Sequence, residues 1–285
     1  MSKLADKNEQ GQEEADESPV GDRGWTSGWI LSGGQGEPTN RFIAQSKVVL
    51  EGDMAMESGG ASGTNGLDGG LASLDRYFPR ICSGIVNFTM HVRLAEMPRA
   101  DLLLRDNIYA HKPYIPATEP YKLYEDERKL SSMKVYLSDD GSNWAFRWHY
   151  PFAWWEIDGN DRPRFYICES KGRKKKGMDY TDFFVESQRW YKVSVILDFT
   201  AKTWEFWVDD VKFNAMKSVQ HELAWWHDAA YLSRLRISSN VGKNWIDAIT
   251  IRHNGKLVAS TGFNSSNGYE DGKSIEGRGS KSVER

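Results

Sequence analysis

VNFTMHVRL, residues 86–94, alternates apolar and polar side chains from end to end. Successive side chains of an extended strand point to opposite faces, so Val86, Phe88, Met90, Val92 and Leu94 line one face and Asn87, Thr89, His91 and Arg93 the other. The same period recurs in NWAFRWHY, where Trp144, Phe146, Trp148 and Tyr150 share a face against Ala145, Arg147 and His149. In WYKVSVILDF, Val193, Val195, Leu197 and Phe199 fall together, and a Thr-Ala-Lys turn leads into WEFWVDD as a hairpin. Asp139-Asp140-Gly141-Ser142 and Asp158-Gly159-Asn160-Asp161 supply turns, and 232–239 and 244–260 give at least two more strands. HELAWWHDAAYL, residues 221–232, is the one stretch that reads as a short helix. Many strands and scarce helix predict an all-β fold, a sandwich or a barrel.

Around these strands the chain divides simply. Residues 1–23 are acidic and poor in apolar anchors, which predicts a disordered N-terminal segment, and 265–285 have the same character and predict a flexible C-terminal tail. The folded domain is then 24–264. The 285 residues carry 12 Trp, 12 Tyr and 12 Phe, a high aromatic content. A net charge of −3 argues against a nucleic-acid protein, which normally carries a broad basic excess. No apolar stretch approaches the roughly 20 residues that span a bilayer. The first residues lack the apolar core of a leader. Two cysteines, Cys82 and Cys168, leave both a disulfide and two separate thiols open.

Three segments resemble the concanavalin A-like/laminin-G-like jelly rolls of the lectin/glucanase superfamily: Ser83-Gly84-Ile85-Val86 leading into FTMHVRL; Trp190-Tyr191-Lys192-Val193 through Val208-Asp209-Asp210-Val211; and Trp245-Ile246-Asp247-Ala248-Ile249. The likeness spans about 83–253 and lies in the order of short apolar motifs. Asp210 departs from it, standing where the hairpin turn usually has Gly. The resemblance implies a two-sheet antiparallel β-sandwich, a secreted or cell-surface location with the leader absent from this chain, and a glycan ligand. It also implies a role for Asp247 in holding a structural Ca²⁺ with main-chain carbonyls, against which stands a salt bridge or turn bond. Such sandwiches serve as lectins, hydrolases, lyases and adhesion modules, so the fold alone assigns no activity.

An antiparallel sheet can bury one face and show the other to water. Sorting by alternation predicts that His91, Arg93, Arg147 and His149 stand on the solvated side, joined by Arg164 and Tyr166 of RFYICES and by Lys134 and Tyr136 of KVYL. Arg and Lys suit an anionic polysaccharide, Arg by bidentate bonds to carboxylate or sulfate. Of the adjacent pairs Trp154-Trp155 and Trp225-Trp226, one ring each is a candidate sugar platform, because neighbours on a strand cannot both point inward. Trp144 and Trp148 read as core. The basic run 171–176 reads as a solvated loop that would attract a polyanion if it lay beside this face.

The preferred reading is a non-catalytic module that binds an anionic polysaccharide. The alternative is a lyase acting on a uronate polymer by β-elimination, with Arg93 or Arg147 neutralising the carboxylate and His149, Tyr166 or His91 moving protons. A third is an adhesion module with a flat apolar patch for protein. Glu156-Ile157-Asp158 through Asp161 is similar to the paired acids of laminarinase-type glucanases, but Gly159-Asn160 breaks the strand those acids would need. No His/Cys grouping has zinc spacing and no phosphate-binding glycine loop appears. The residues leave oligomeric state open.

Overall fold

A computed structural model describes residues 21–32, 42–59, 72–94, 131–141, 143–152, 164–170, 176–186, 188–213, 223–239 and 243–279. Its strands are β1 (Ile30–Ser32), β2 (Phe42–Gln45), β3 (Ala55–Gly59), β4 (Ala72–Ile81), β5 (Ile85–Leu94), β6 (Ser131–Ser138), β7 (Trp144–Phe152) and β8 (Arg164–Ser170). There follow β9 (Lys176–Phe184), β10 (Trp190–Asp198), β11 (Thr203–Val208), β12 (Val211–Phe213), β13 (Leu223–Ala224), β14 (Leu232–Ser239), β15 (Lys243–His253) and β16 (Lys256–Thr261). One sheet runs β1-β4-β14-β6-β7-β8-β9; the other runs β12-β11-β10-β5-β15-β3-β2, with β13 on β11 and β16 on β15. The all-β, two-sheet antiparallel architecture is therefore the one expected.

Alternation explains why the sheets meet. In β5 and β10 every second side chain is buried, among them Val86, Phe88, Met90, Val92, Tyr191, Val193, Val195 and Leu197. Rings from the two sheets touch across the interior: Phe88 and Phe146 at 5.9 Å between centroids, Trp148 and Phe206 at 6.1 Å, Phe165 and Tyr191 at 6.1 Å. Burying one such side chain contributes roughly 1.5–3 kcal/mol, so face-to-face packing follows from the pattern alone.

The hairpin that departs from the resemblance has a direct solution. Val208 pairs with Val211, and the two residues between them, Asp209 and Asp210, have φ of 48° and 63°. Both central residues are left-handed, which is a type I′ turn, and aspartate tolerates that conformation better than most residues.

Three expectations need correction. No helix forms in 221–232 among the described residues: Trp225 N–H donates to the Lys202 carbonyl, Trp226 N–H to Ala145 and His227 N–H to Trp144, so the backbone is claimed by neighbouring strands. The segment after 264 does not behave as a tail as far as Gly279. Tyr269 and Ile275 are core residues, and bridges join Ile43 to Ser274 and Trp29 to Glu276. Trp144 does not share a face with Phe146 and Trp148. The β6–β7 register shifts between Leu137↔Phe146 and Ser138↔Trp144, Ala145 and Phe146 are both buried, and the bulge turns Trp144 outward. The open question about the cysteines also closes, since Cys82 is a free, exposed thiol. Among the described residues no helix is long and apolar enough to cross a membrane.

Candidate functional site

The side of the seven-stranded sheet that faces away from the core gathers the cationic residues. Met133, Val135 and Leu137 of β6 and Leu235 and Ile237 of β14 are buried in the core, which sends Lys134, Tyr136, Arg234 and Arg236 to the opposite side. Antiparallel register then lines up rows across the strands. One row is Asp75↔Arg236↔Tyr136↔Arg147↔Cys168. The next is Ser73↔Ser238↔Lys134↔His149↔Tyr166. On the other flank lies Tyr77↔Arg234↔Ser138↔Trp144. Five of the expected residues, Lys134, Tyr136, Arg147, His149 and Tyr166, thus occupy two adjacent rows. Arg164 lies at the end of β8, opposite Phe152.

Trp144, turned out by its bulge, is the centre of an aromatic cluster. Trp226 stacks on it at 4.8 Å and 17° between planes, and His227 meets its edge at 4.9 Å. The Arg147 guanidinium sits 4.7 Å above the Trp144 ring and 5.9 Å from Trp226, while Tyr136 lies 6.1 Å from Trp144. His227 Nδ1 accepts the Trp144 N–H at 3.2 Å, which places the ring proton on Nε2. Of the pair Trp225-Trp226, Trp225 is core: its ring meets Phe199 at 4.8 Å and its Nε1–H donates to the Thr203 carbonyl. Only Trp226 reaches the outer face.

Arg236 is held firmly. It makes a two-pronged bond to Asp75, Nε to Oδ1 and Nη2 to Oδ2, each 2.5 Å, with its side chain 24% exposed. The Asp75 bond, then Tyr136, holds its guanidinium in the charged form. Arg234 donates from Nε to Ser138 Oγ at 2.9 Å and lies 3.9 Å from Asp75. Across these rows the described side chains include the cations Lys134, Arg147, Arg234 and Arg236, and a single carboxylate, Asp75. A local positive excess on a chain of net charge −3 is a field that attracts anions.

Other expected residues fall elsewhere. Lys134 was expected in water but is 3% exposed; on a central strand its stem is enclosed by the flanking side chains. His91 and Arg93 belong to β5, in the nine-stranded sheet, so they face away from the rows above. Alternation tells which face of a strand is polar but not which sheet the strand joins. Arg93 lies 5.4 Å over the Trp245 ring, and burial, then Lys192, depresses the His91 imidazole. Trp154 and Trp155 lie outside the described residues, as do 158–161 and 171–175; Lys176 opens β9. Arg236, Arg234, Asp75 and His227 were missed, although the first two were visible in LSRLRISS, where arginine alternates with Leu235 and Ile237.

Asp247, which the resemblance gives to a structural Ca²⁺ or else to a turn bond, makes three backbone bonds. Its Oδ2 accepts the N–H groups of Leu50 and Glu51 at 3.1 and 3.2 Å, and its Oδ1 accepts that of Ala248 at 2.8 Å. These three N–H donors take three of the roughly four lone-pair sites of the carboxylate. Among the described residues no group of three or more His, Cys, Asp or Glu is placed to hold a metal.

No protein-family model and no curated protein matches the sequence. Solved structures that overlap it include a sialidase (TM-score 0.43, 10% identity, covering 83% of this chain and 18% of that one). An alginate lyase from Pseudomonas aeruginosa overlaps at TM-score 0.43 and 10% identity, over 80% of this chain and 98% of that one. A tetrameric galectin from the ball sponge Cinachyrella overlaps at TM-score 0.35 and 8% identity, over 64% and 99%. The chain spans under a fifth of the sialidase's length.

Proposed function

We propose that the outer face of the seven-stranded sheet binds an anionic polysaccharide, and that the protein works as a secreted or cell-surface glycan-recognising module. The observation that carries this reading is the fixed set Arg236, Tyr136 and Arg147 beside the stacked Trp144 and Trp226. Guanidinium groups held by Asp75 on one side and by aromatic faces on the other lose little freedom when they grip a carboxylate or sulfate. The indole faces offer apolar area to the C–H side of a sugar ring. An adhesion module would need a flat apolar patch. The large apolar side chains exposed among the described residues, Ile30, Leu50, Ile85, Val211 and Leu257, sit on five different segments.

A second reading rests on register. His149 and Tyr166 are direct cross-strand partners, one row from Arg147. In β-elimination a cation neutralises the uronate carboxylate, one group removes the C5 proton and another protonates the leaving oxygen. These residue types, side by side, suit that division of labour.

One experiment separates the two. The protein is incubated with alginate, pectate, ulvan and glycosaminoglycans while ultraviolet absorbance of the unsaturated product is followed, and the same polymers are cast into native gels. Retarded migration with a flat trace supports the binding module. Retardation should weaken as salt rises, and should fall about ten- to hundredfold in affinity for Arg147→Ala, since a hydrogen bond to a charged group is worth ~1.5–3 kcal/mol. An absorbance rise that disappears in His149→Ala and Tyr166→Phe establishes the lyase. Neither rise nor retardation refutes both.

A further inference from the structure

We infer that His227 is the residue that positions the Trp144–Trp226 platform, and that the platform holds only while its imidazole is unprotonated, so that the face loosens its grip on an anionic glycan when acidified. This rests on the reading that the face binds such a glycan, and adds how that binding is controlled. Trp144 and His227 hold each other twice. The His227 backbone N–H donates to the Trp144 carbonyl at 3.2 Å, and the Trp144 backbone N–H donates to His227 Nδ1 at 3.2 Å. Trp226, next in the chain, donates its own N–H to the Ala145 carbonyl at 2.9 Å. The imidazole thus fastens the segment that carries Trp226 to the bulge that turns Trp144 outward. Its ring stands at 82° to the Trp144 ring, 4.9 Å between centroids, and the two indoles stack at 4.8 Å.

The bond to Nδ1 carries a condition. A neutral imidazole accepts through the nitrogen that lacks a proton, whereas an imidazolium donates from both nitrogens and accepts through neither. Protonation at Nδ1 would set two N–H groups against each other and leave the part-buried Trp144 N–H without this acceptor. The neighbouring charges do not favour a second cation here. The Arg147 guanidinium already lies 4.7 Å over the Trp144 ring, and Tyr136 is the other titratable ring described against it. The acids described on the adjoining segments are engaged: Asp139 accepts from Asn143 through both oxygens, Asp140 pairs with Arg80 and Tyr231, and Asp228 pairs with Lys202. A histidine that merely sat on the surface would tighten a polyanion on acidification, because it would add a cation. One that positions the indoles weakens it. The direction of the pH effect tells the two roles apart.

The test titrates the full-length protein with a chondroitin sulfate octasaccharide, whose sulfate charge stays constant, between about pH 8 and pH 5, the span over which histidine takes up its proton. Affinity should fall about tenfold, the equivalent of one hydrogen bond lost with its donor left unpaired. Circular dichroism without ligand follows the platform itself, since stacked indoles give an exciton couplet, and the part that Trp226→Phe removes belongs to this pair. That couplet should decline with the same midpoint as the affinity. His227→Asn, which sets an amide oxygen where Nδ1 stands and takes up no proton, should keep the couplet and hold the affinity level across the range. Other groups that titrate here are common to both proteins, so whatever the substitution removes belongs to His227. Binding that tightens on acidification, a couplet indifferent to pH, or a His227→Asn protein that titrates like the unaltered one overturns the inference. No binding at any pH, beside a couplet that titrates, overturns the glycan reading and upholds the grip of His227 on the indoles.

Discussion

Replacing Arg76 by methionine should cost this protein more stability than any substitution on its surface. The guanidinium is completely buried between the rings of Trp25 and Trp29, 4.6 and 5.0 Å from their centroids. It bonds Asp22 through both Nη atoms, at 3.3 and 3.0 Å, and donates to the Gly279 carbonyl at 2.6 Å. One side chain thus ties together a residue near each end of the described fold. Methionine fills the volume but leaves the Asp22 carboxylate, 3% exposed, facing only the Tyr269 hydroxyl at 2.9 Å. Removing one partner of a buried pair costs about 3–5 kcal/mol, because the other charge is left without compensation. At about 2 °C per kcal/mol for a domain of this size, the melting temperature should fall by about 6–10 °C. Thermal and urea unfolding followed by circular dichroism measure this directly. Asp22→Asn should do comparable damage, and the double variant should be less destabilised than the sum by at least ~1 kcal/mol, since it removes both charges together. A methionine variant melting within about 1 °C of the unaltered protein, or strictly additive variants, would refute this account of the clasp.

Three further outcomes are expected. Trp225→Ala should destabilise by about 3–5 kcal/mol because it empties a core position, whereas Trp226→Ala should leave the urea midpoint nearly unchanged and weaken glycan retardation. Asp247 is pushed up to about 7 by burial, which outweighs its three N–H partners. The native chain then binds a proton more readily than the unfolded chain between about pH 4 and pH 7, so stability should fall as pH rises through that window, by up to ~1.4 kcal/mol per unit. Urea titrations at several pH values should show that slope, and Asp247→Asn should lack it. Asp210→Gly should raise stability by about 1 kcal/mol, because a left-handed φ of 63° strains any residue with a Cβ; the exposed ion pair it gives up, Asp210 with Lys192, is worth less.

The strands were legible because their signal is local. Val86 to Leu94 needs no partner to declare a buried face, and the hairpin of β10 and β11 follows from two apolar runs separated by Thr200-Ala201-Lys202. What the sequence leaves out is non-local. Whether His91 and Arg93 accompany Arg147 depends on which sheet takes β5, and β5 hydrogen-bonds to β10 and β15, far away in the chain. Alternation puts Trp144 on the wrong face for a related reason. A single bulge at Ala145 reverses its direction, and the backbone bonds of Trp226 and His227 to Ala145 and Trp144 accompany that reversal. The packed segment after residue 264 escaped notice because its few anchors, Tyr269 and Ile275, are separated by glycines and polar residues that read as tail.

That division bears on how the site is built. The cations of the outer face come from β6, β7 and β14, strands whose alternation was plain, yet the site depends on their being neighbours in the order β14-β6-β7. The chain returns from β14, some hundred residues after β6, to insert between β4 and β6, and this crossover brings Arg236 and Asp75 beside Tyr136. A shift of two residues in the β14 register would keep every apolar contact pattern but set Arg234 or Ser238 opposite Tyr136. The Arg236–Asp75 bond resists such slippage, since a slipped β14 would leave Asp75 buried opposite the wrong partner. The ion pair that positions the candidate ligand grip is thus also a device that fixes strand register, and Asp75→Asn should disturb the face before it disturbs the core.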